Sequence, residues 1–330
     1  MTSLRLTKTS LWIAVLSVGA WLPAPAHAEE TCSFHGDAVM PKTVSVYDAP
    51  SGGAEIAHFT GGNVTLTVTS FPDSPGGRAA VETGGFRIKG FVRAREIPVY
   101  TVRSVPVYAG HVWIADGRKV SVIGTAPGKL GVEKTLTWPM SGLFQAFAPC
   151  DALSLSEKVP SGWTPPGGAR GYRVKPDHID LYGAPRGEVV TGFDKATDSP
   201  DVLLWGSERE NGYVHVELHG EVTIDAWAHA RDLVALPPGE TMDQLAPSRS
   251  VGGAPKLSVQ GQPRIVKPQA PVLLRNAASD AAGVLGGIDA GVEVIVLDVV
   301  AGWASVVPKT LSIAPAGEKQ FWAKAKDLGL

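Results

Sequence analysis

One seven-residue phrase occurs four times in this chain, and it constrains the fold more than any other feature. It reads FVRAREI at Phe91–Ile97, FAPCDAL at Phe147–Leu153, WAHARDL at Trp227–Leu233 and WAKAKDL at Trp322–Leu328. An aromatic stands first, a small residue fourth (Ala94, Cys150, Ala230, Ala325) and a branched aliphatic seventh. The sixth place is acidic in three copies, as Glu96, Asp232 and Asp327, and in the second copy the acid is Asp151, one place earlier. A second phrase opens each unit: VYDAP from Val46, VYAG from Val107, LYGAP from Leu181 and LLRN from Leu273. From Tyr47 to Phe91 is 44 positions, from Tyr108 to Phe147 39, from Tyr182 to Trp227 45 and from Leu274 to Trp322 48. Self-similarity at such a period marks an array of small units and not one large domain.

Between the phrases lie strands. Val64, Leu66 and Val68 alternate with Thr65, Thr67 and Thr69, the period of a half-buried strand. Val214, Val216 and Leu218 alternate with His215, Glu217 and His219, and Val292, Val294 and Val296 form another row. With 38 glycines and 26 prolines the chain is rich in turns, as all-β proteins of short strands are. No long helical period is present, so helix is expected only as short turns, one near Gly239–Leu245. The units are placed at 38–100, 101–158, 172–236 and 264–330. Pro/Gly-rich or polar linkers at 159–171 and 237–263 separate the later ones. The short join near Pro98–Arg103 predicts that units one and two form a rigid pair and that unit four is the most independent.

Residues 1–28 stand apart. Arg5 and Lys8 precede the apolar run Leu11–Leu22, and Ala26-His27-Ala28 is a small-residue cleavage site. This is the pattern of a secretory signal peptide and not of folded structure. No later run is long and apolar enough to span a bilayer. The mature chain is therefore expected to be exported, periplasmic or extracellular, without membrane insertion after cleavage. Removing the leader leaves 28 basic against 32 acidic residues, a net charge of −4. With no basic block, nucleic acid is not an expected partner. Cys32 and Cys150 are the two cysteines. In an oxidising compartment they are expected to pair, closing a loop worth about 4–5 kcal/mol in the chain-entropy model.

Some segments resemble a known family. Gly302-Trp303-Ala304-Ser305-Val306 and Gly212-Tyr213-Val214-His215-Val216 are similar to the G-W-x-x-V strand of bacterial SH3-like (SH3b-type) domains, and the closing phrases to the family's W-V-x-x-x-x-L ending. Unit one has Gly77-Arg78-Ala79-Ala80-Val81, without the aromatic, and unit two only Leu130-Gly131-Val132-Glu133. The Asn-Val-Arg core of the family's opening strand is missing from all four. The resemblance implies tandem small β-barrels that close on themselves, with unit two degenerate. It also implies a binding or scaffolding role at the cell envelope, with peptidoglycan or its peptides as the ligand class. Another envelope protein is the alternative partner.

The search for chemistry gives little. His215-Val216-Glu217-Leu218-His219 is not H-E-x-x-H and lies on a strand, so it reads as a solvated face and not a metal site. There is no G-x-S-x-G and no phosphate loop, and neither cysteine has the setting of a nucleophile. No catalytic residue, metal or cofactor is expected. A hydrolase or metal-dependent enzyme in the N-terminal half stays open as an alternative, and a deep pocket lined by His35, His58 or His111 would favour it. Trp227, Trp303 and Trp322 are expected in or near the cores. Tyr47, Tyr182, Trp205 and Tyr213 are the candidates for a shallow aromatic binding groove.

Overall fold

The computed structural model describes residues 36–40, 43–60, 64–74, 76–108, 110–196, 202–237, 240 and 263–330. The leader, Cys32, His35 and most of the 237–263 linker lie outside these residues, as does Gly239–Leu245 apart from Glu240. The described chain is all β, in two antiparallel sheets of 13 and 14 strands. Its helical residues are single 3₁₀ turns at Ala94–Glu96, Cys150–Ala152, Ala230–Asp232 and Ala325–Leu328. Each falls inside one closing phrase. The aliphatic seventh residue follows or ends that turn and is buried every time, as Ile97, Leu153, Leu233 and Leu328.

The same ladder positions recur. In unit three the opening strand His178–Tyr182 pairs with Val189–Lys195 on one side, and on the other Tyr182 stands opposite Trp227 of the closing strand Val222–His229. In unit one Tyr47 stands opposite Phe91, and in unit four Arg275 opposite Trp322. The hairpin feeding each closing strand also repeats. Ala94, Ala230 and Ala325 donate their backbone N–H to the carbonyls of Gly77, Gly212 and Gly302. All four units carry a register shift in the third strand, at Val68/Ser70, Val122/Gly124, Gly206/Glu208 and Val296/Asp298. Such bulges bend a strand and increase its twist.

Three expectations need correction. First, the closing aromatics do not fill the core. Phe91, Trp227 and Trp322 are half-buried and Phe147 is exposed. Trp303, at the start of its strand, is half-buried too. Alternation explains it: Ala226 and Ala228, on either side of Trp227, point inward and are essentially fully buried, so Trp227 points out. Second, in unit two the turn lies at Gly128, with Lys129 opposite Pro149 and Gly131 opposite Phe147. Gly128, and not Gly131, thus occupies the place of Gly212, and Lys129 that of Tyr213, which stands opposite His229.

Third, unit four is not independent, and the sheets do not close unit by unit. Units one and four share one sheet, units two and three the other. The two joins are built alike. The second strand of unit four meets the closing strand of unit one through Gly286↔Ile88, Gly287↔Arg87 and Ile288↔Phe86. The second strand of unit two meets the closing strand of unit three through Val112↔Ile224, Trp113↔Thr223 and Ile114↔Val222. Phe86 and Val222 both lie five residues before the closing aromatic. An open edge of unpaired N–H and C=O groups governs this association more than sequence proximity does.

Candidate functional site

The outward face of unit three gathers the chemistry-bearing side chains. On strand Tyr213–His219 the residues Val214, Val216 and Leu218 face the core, leaving Tyr213, His215, Glu217 and His219 on the other side. Directly opposed residues share a face. His229, Trp227, Asp225 and Thr223 stand opposite these four in turn. From Tyr213 to His219 the strip is about 20 Å long.

One end is aromatic. The Tyr213 ring stacks on His229 with centroids 4.2 Å apart, and the edge of Tyr182 meets both, at 5.5 Å and 5.2 Å. Burial is the first cause that raises the Tyr182 hydroxyl above its ordinary pKa. In the middle, His215 leans on Trp227 at 5.0 Å and its Nε2 lies 2.5 Å from Asp225 Oδ1. Its Nδ1 lies 3.3 Å from Ser207 Oγ. At the far end Trp163, from the expected linker, stacks on His219 with centroids 4.0 Å apart and planes 14° off parallel. Burial there holds His219 below the ordinary histidine value, against the opposing pull of Glu217, whose Oε2 lies 3.3 Å from Nε2. A cleft of about 390 Å³ opens beside this stack, lined by Asp116, Arg118, Ser161, Trp163, His219 and Thr223.

Of the four residues singled out from sequence, the structure joins Tyr182 and Tyr213, but Tyr213 is buried against Tyr182 and His229 and offers little open surface to a groove. Trp205 stands opposite Glu217, on the same face but four residues of strand, about 13 Å, from the Tyr213 end. Tyr47 lies in the other sheet, with the Arg78 guanidinium 3.5 Å above its ring centroid. Sequence reasoning placed His215 on a solvated strand face but missed Trp163, Asp225, Trp227 and His229 as members of it. The strand alternation of His215-Val216-Glu217-Leu218-His219 was the available signal for its centre.

Tyr47 has counterparts all the same. The residue two places after the closing aromatic is Arg93, His229 or Lys324, and its ladder partner is Arg78, Tyr213 or Trp303. At this position Lys324 Nζ lies 5.7 Å from the Trp303 centroid and His229 stacks on Tyr213. In unit one Arg78 occupies the aromatic's place and finds Tyr47 instead. A ring with a basic or imidazole group therefore recurs on the outer face of three units.

No convergence of three or more His, Cys, Asp or Glu side chains fit to hold a metal occurs among the described residues. His58 pairs with Glu55 at 3.4 Å, and His111 Nδ1 lies 3.0 Å from the Asp225 carbonyl oxygen. His58 lies on a strand of one sheet and His111 in a turn beside the other, and they line no common site among the described residues. Cys150 is disulfide-bonded, and its expected partner Cys32 lies outside the described residues. No helix of the described residues is long and apolar enough to cross a membrane. Comparisons with protein-family models, with curated proteins and with solved structures find no match to this chain.

Proposed function

We propose that this chain is an exported, non-catalytic binding protein of the cell envelope, built as four SH3-like units that associate in two pairs. Its ligand in this reading is an extended element of the cell wall, a peptidoglycan peptide or glycan, held on the outward aromatic faces. The observation that carries the reading is a ring with a cationic or imidazole partner around one ladder position, within the pair itself in units three and four and between Arg78 of that pair and Tyr47 of the opening strand in unit one. Rigid aromatic side chains give contact area at low entropic cost. Several weak sites on one chain gain from effective concentration. The leader pattern in residues 1–28 supports export. Titration of residues 29–330 with soluble, muramidase-released wall fragments, followed by tryptophan fluorescence, tests the proposal. A saturable change that is lost in Trp227→Leu supports it, and a flat titration rejects the ligand class in favour of another envelope protein.

One observation favours a hydrolase instead. Ser207, His215 and Asp225 form a hydroxyl–imidazole–carboxylate chain. Ser207 is exposed and Asp225 is 46% exposed, however, whereas acyl transfer needs donors to the oxyanion in a site that excludes water. Labelling of Ser207 by a fluorophosphonate would establish the hydrolase reading, and inertness is the expected result.

A further inference from the structure

Each unit presents the outer edge of its second strand, and in three units three residues of that edge are paired with another strand. In unit one Ala57, His58 and Phe59 pair with Pro315, Ala314 and Ile313. In unit four Gly286, Gly287 and Ile288 pair with Ile88, Arg87 and Phe86. In unit two Val112, Trp113 and Ile114 pair with Ile224, Thr223 and Val222. The corresponding residues of unit three are Thr191, Gly192 and Phe193, fixed by the matching bulge beside Tyr182, Tyr47 and Arg275. Among the described residues none of these three has an outside strand partner. Met140 and Ser141 of unit two reach only Lys195 and Asp194.

The backbone there is oriented for pairing. Lys195 donates its N–H inward to the Asp177 carbonyl, so in the antiparallel alternation Thr191 and Phe193 bond inward while the N–H and C=O of Gly192 point out. His58, at the corresponding place in unit one, is the residue that Ala314 covers. Beside the Gly192 edge, on the outward face, stand Asp180 and Asp194. They flank one imidazole, His178, with His178 Nδ1 2.7 Å from Asp194 Oδ1 and Nε2 3.2 Å from Asp180 Oδ1. Two carboxylates against one imidazole leave this seam negative.

We infer that the edge Thr191–Phe193 accepts an extended peptide as an added antiparallel strand, and that the peptide carries a cationic side chain facing Asp180 and Asp194. Backbone hydrogen bonds supply the register and the alternate side chains the selectivity. A second copy of this chain is disfavoured as the occupant, since edge-to-edge pairing would set a second Asp180–Asp194 pair along the same seam. The inference rests on the strand edges and not on the aromatic strip, so it stands or falls separately from wall binding.

The probe is an end-blocked hexapeptide of alternating valine and lysine, added to residues 29–330 and read by amide hydrogen exchange and calorimetry. The expected result is slowed exchange at Gly192. Affinity should fall about tenfold or more for the backbone N-methylated peptide, for a valine–glutamate peptide, and for the Asp180→Asn/Asp194→Asn variant. Binding that ignores N-methylation, protection that avoids Gly192, or no binding at all would overturn it. So would protection of Gly192 that rises with protein concentration alone, which would assign the edge to a second copy.

Discussion

Arg78 lies over Tyr47, its guanidinium carbon 3.5 Å from the ring centroid, in a unit whose hairpin lacks the aromatic that units three and four carry as Tyr213 and Trp303. The same guanidinium donates to the carbonyl of Ala49 at 2.9 Å and to that of Gly52. It therefore ties the turn after the opening strand to the hairpin of the fourth strand. Arg78→Ala is expected to cost about 1–2 kcal/mol in denaturant unfolding, the sum of a partly exposed cation–π contact and hydrogen bonds from a charged donor. Arg78→Lys should recover less than half, because an ammonium cannot stack and fork at once.

Gly286 lies in the ladder where units one and four meet. A Cβ built there would stand 1.9 Å from the Arg87 carbonyl oxygen, a backbone atom that cannot move aside alone. Gly286→Val is expected to lower stability by about 2–3 kcal/mol. It should also split a single unfolding transition of units one and four into two, visible by calorimetry. An unchanged single transition would mean that the shared sheet does not couple them.

Two hairpins invite a stabilising change. Asn211-Gly212 and Ala301-Gly302 both take positive φ at both central residues, 50° and 82° in the first and 50° and 81° in the second. Asparagine tolerates this conformation and alanine does not. Ala301→Asn should raise stability by about 0.5–1 kcal/mol with no change in ligand binding, as read by thermal melts.

Two histidines should titrate on opposite sides of the ordinary value of 6.5. Burial under Trp163 holds His219 low, while hydrogen bonds to Asp194 and then Asp180 hold the exposed His178 high. For His219 the unfolded chain takes up its proton first. Its contribution to stability is complete above pH 6.5 and is lost as pH falls from there through the lower folded value. For His178 the sign reverses: its contribution is present below pH 6.5 and is lost as pH rises through the higher folded value. Histidine NMR titration of the wild type and of Trp163→Ala checks this, since removing the indole should move His219 up and leave His178 in place.

Much of the strand pattern was legible in the sequence, and little of how the strands associate into sheets. The valine–threonine alternation at Val64–Ser70 appears as a strand buried at Val64, Leu66 and Val68 and exposed at Thr65, Thr67 and Thr69. The buried aliphatic ending each closing phrase was equally plain. The outward turn of Trp227 was harder to read, because large aromatics are usually taken for core and the deciding residues are the small neighbours Ala226 and Ala228. Pairing of unit one with unit four had no local signal. It depends on which strand edges remain open after each unit folds, a property of backbone geometry that residue type scarcely marks. Trp163 was hidden for a similar reason: its Pro/Gly-rich surroundings read as a linker, yet it covers His219 in the next unit.

Wall binding through the outward aromatic faces is tested most directly by co-sedimentation of residues 29–330 with purified sacculi at two salt concentrations. The comparison is with Tyr182→Ala/Trp227→Ala, a variant that removes half-buried rings while leaving the inward Ala226 and Ala228 in place. The account predicts saturable pelleting of the wild type that survives the higher salt and falls several-fold in the variant. Equal pelleting of the two, or none beyond a control protein of similar charge, would contradict it.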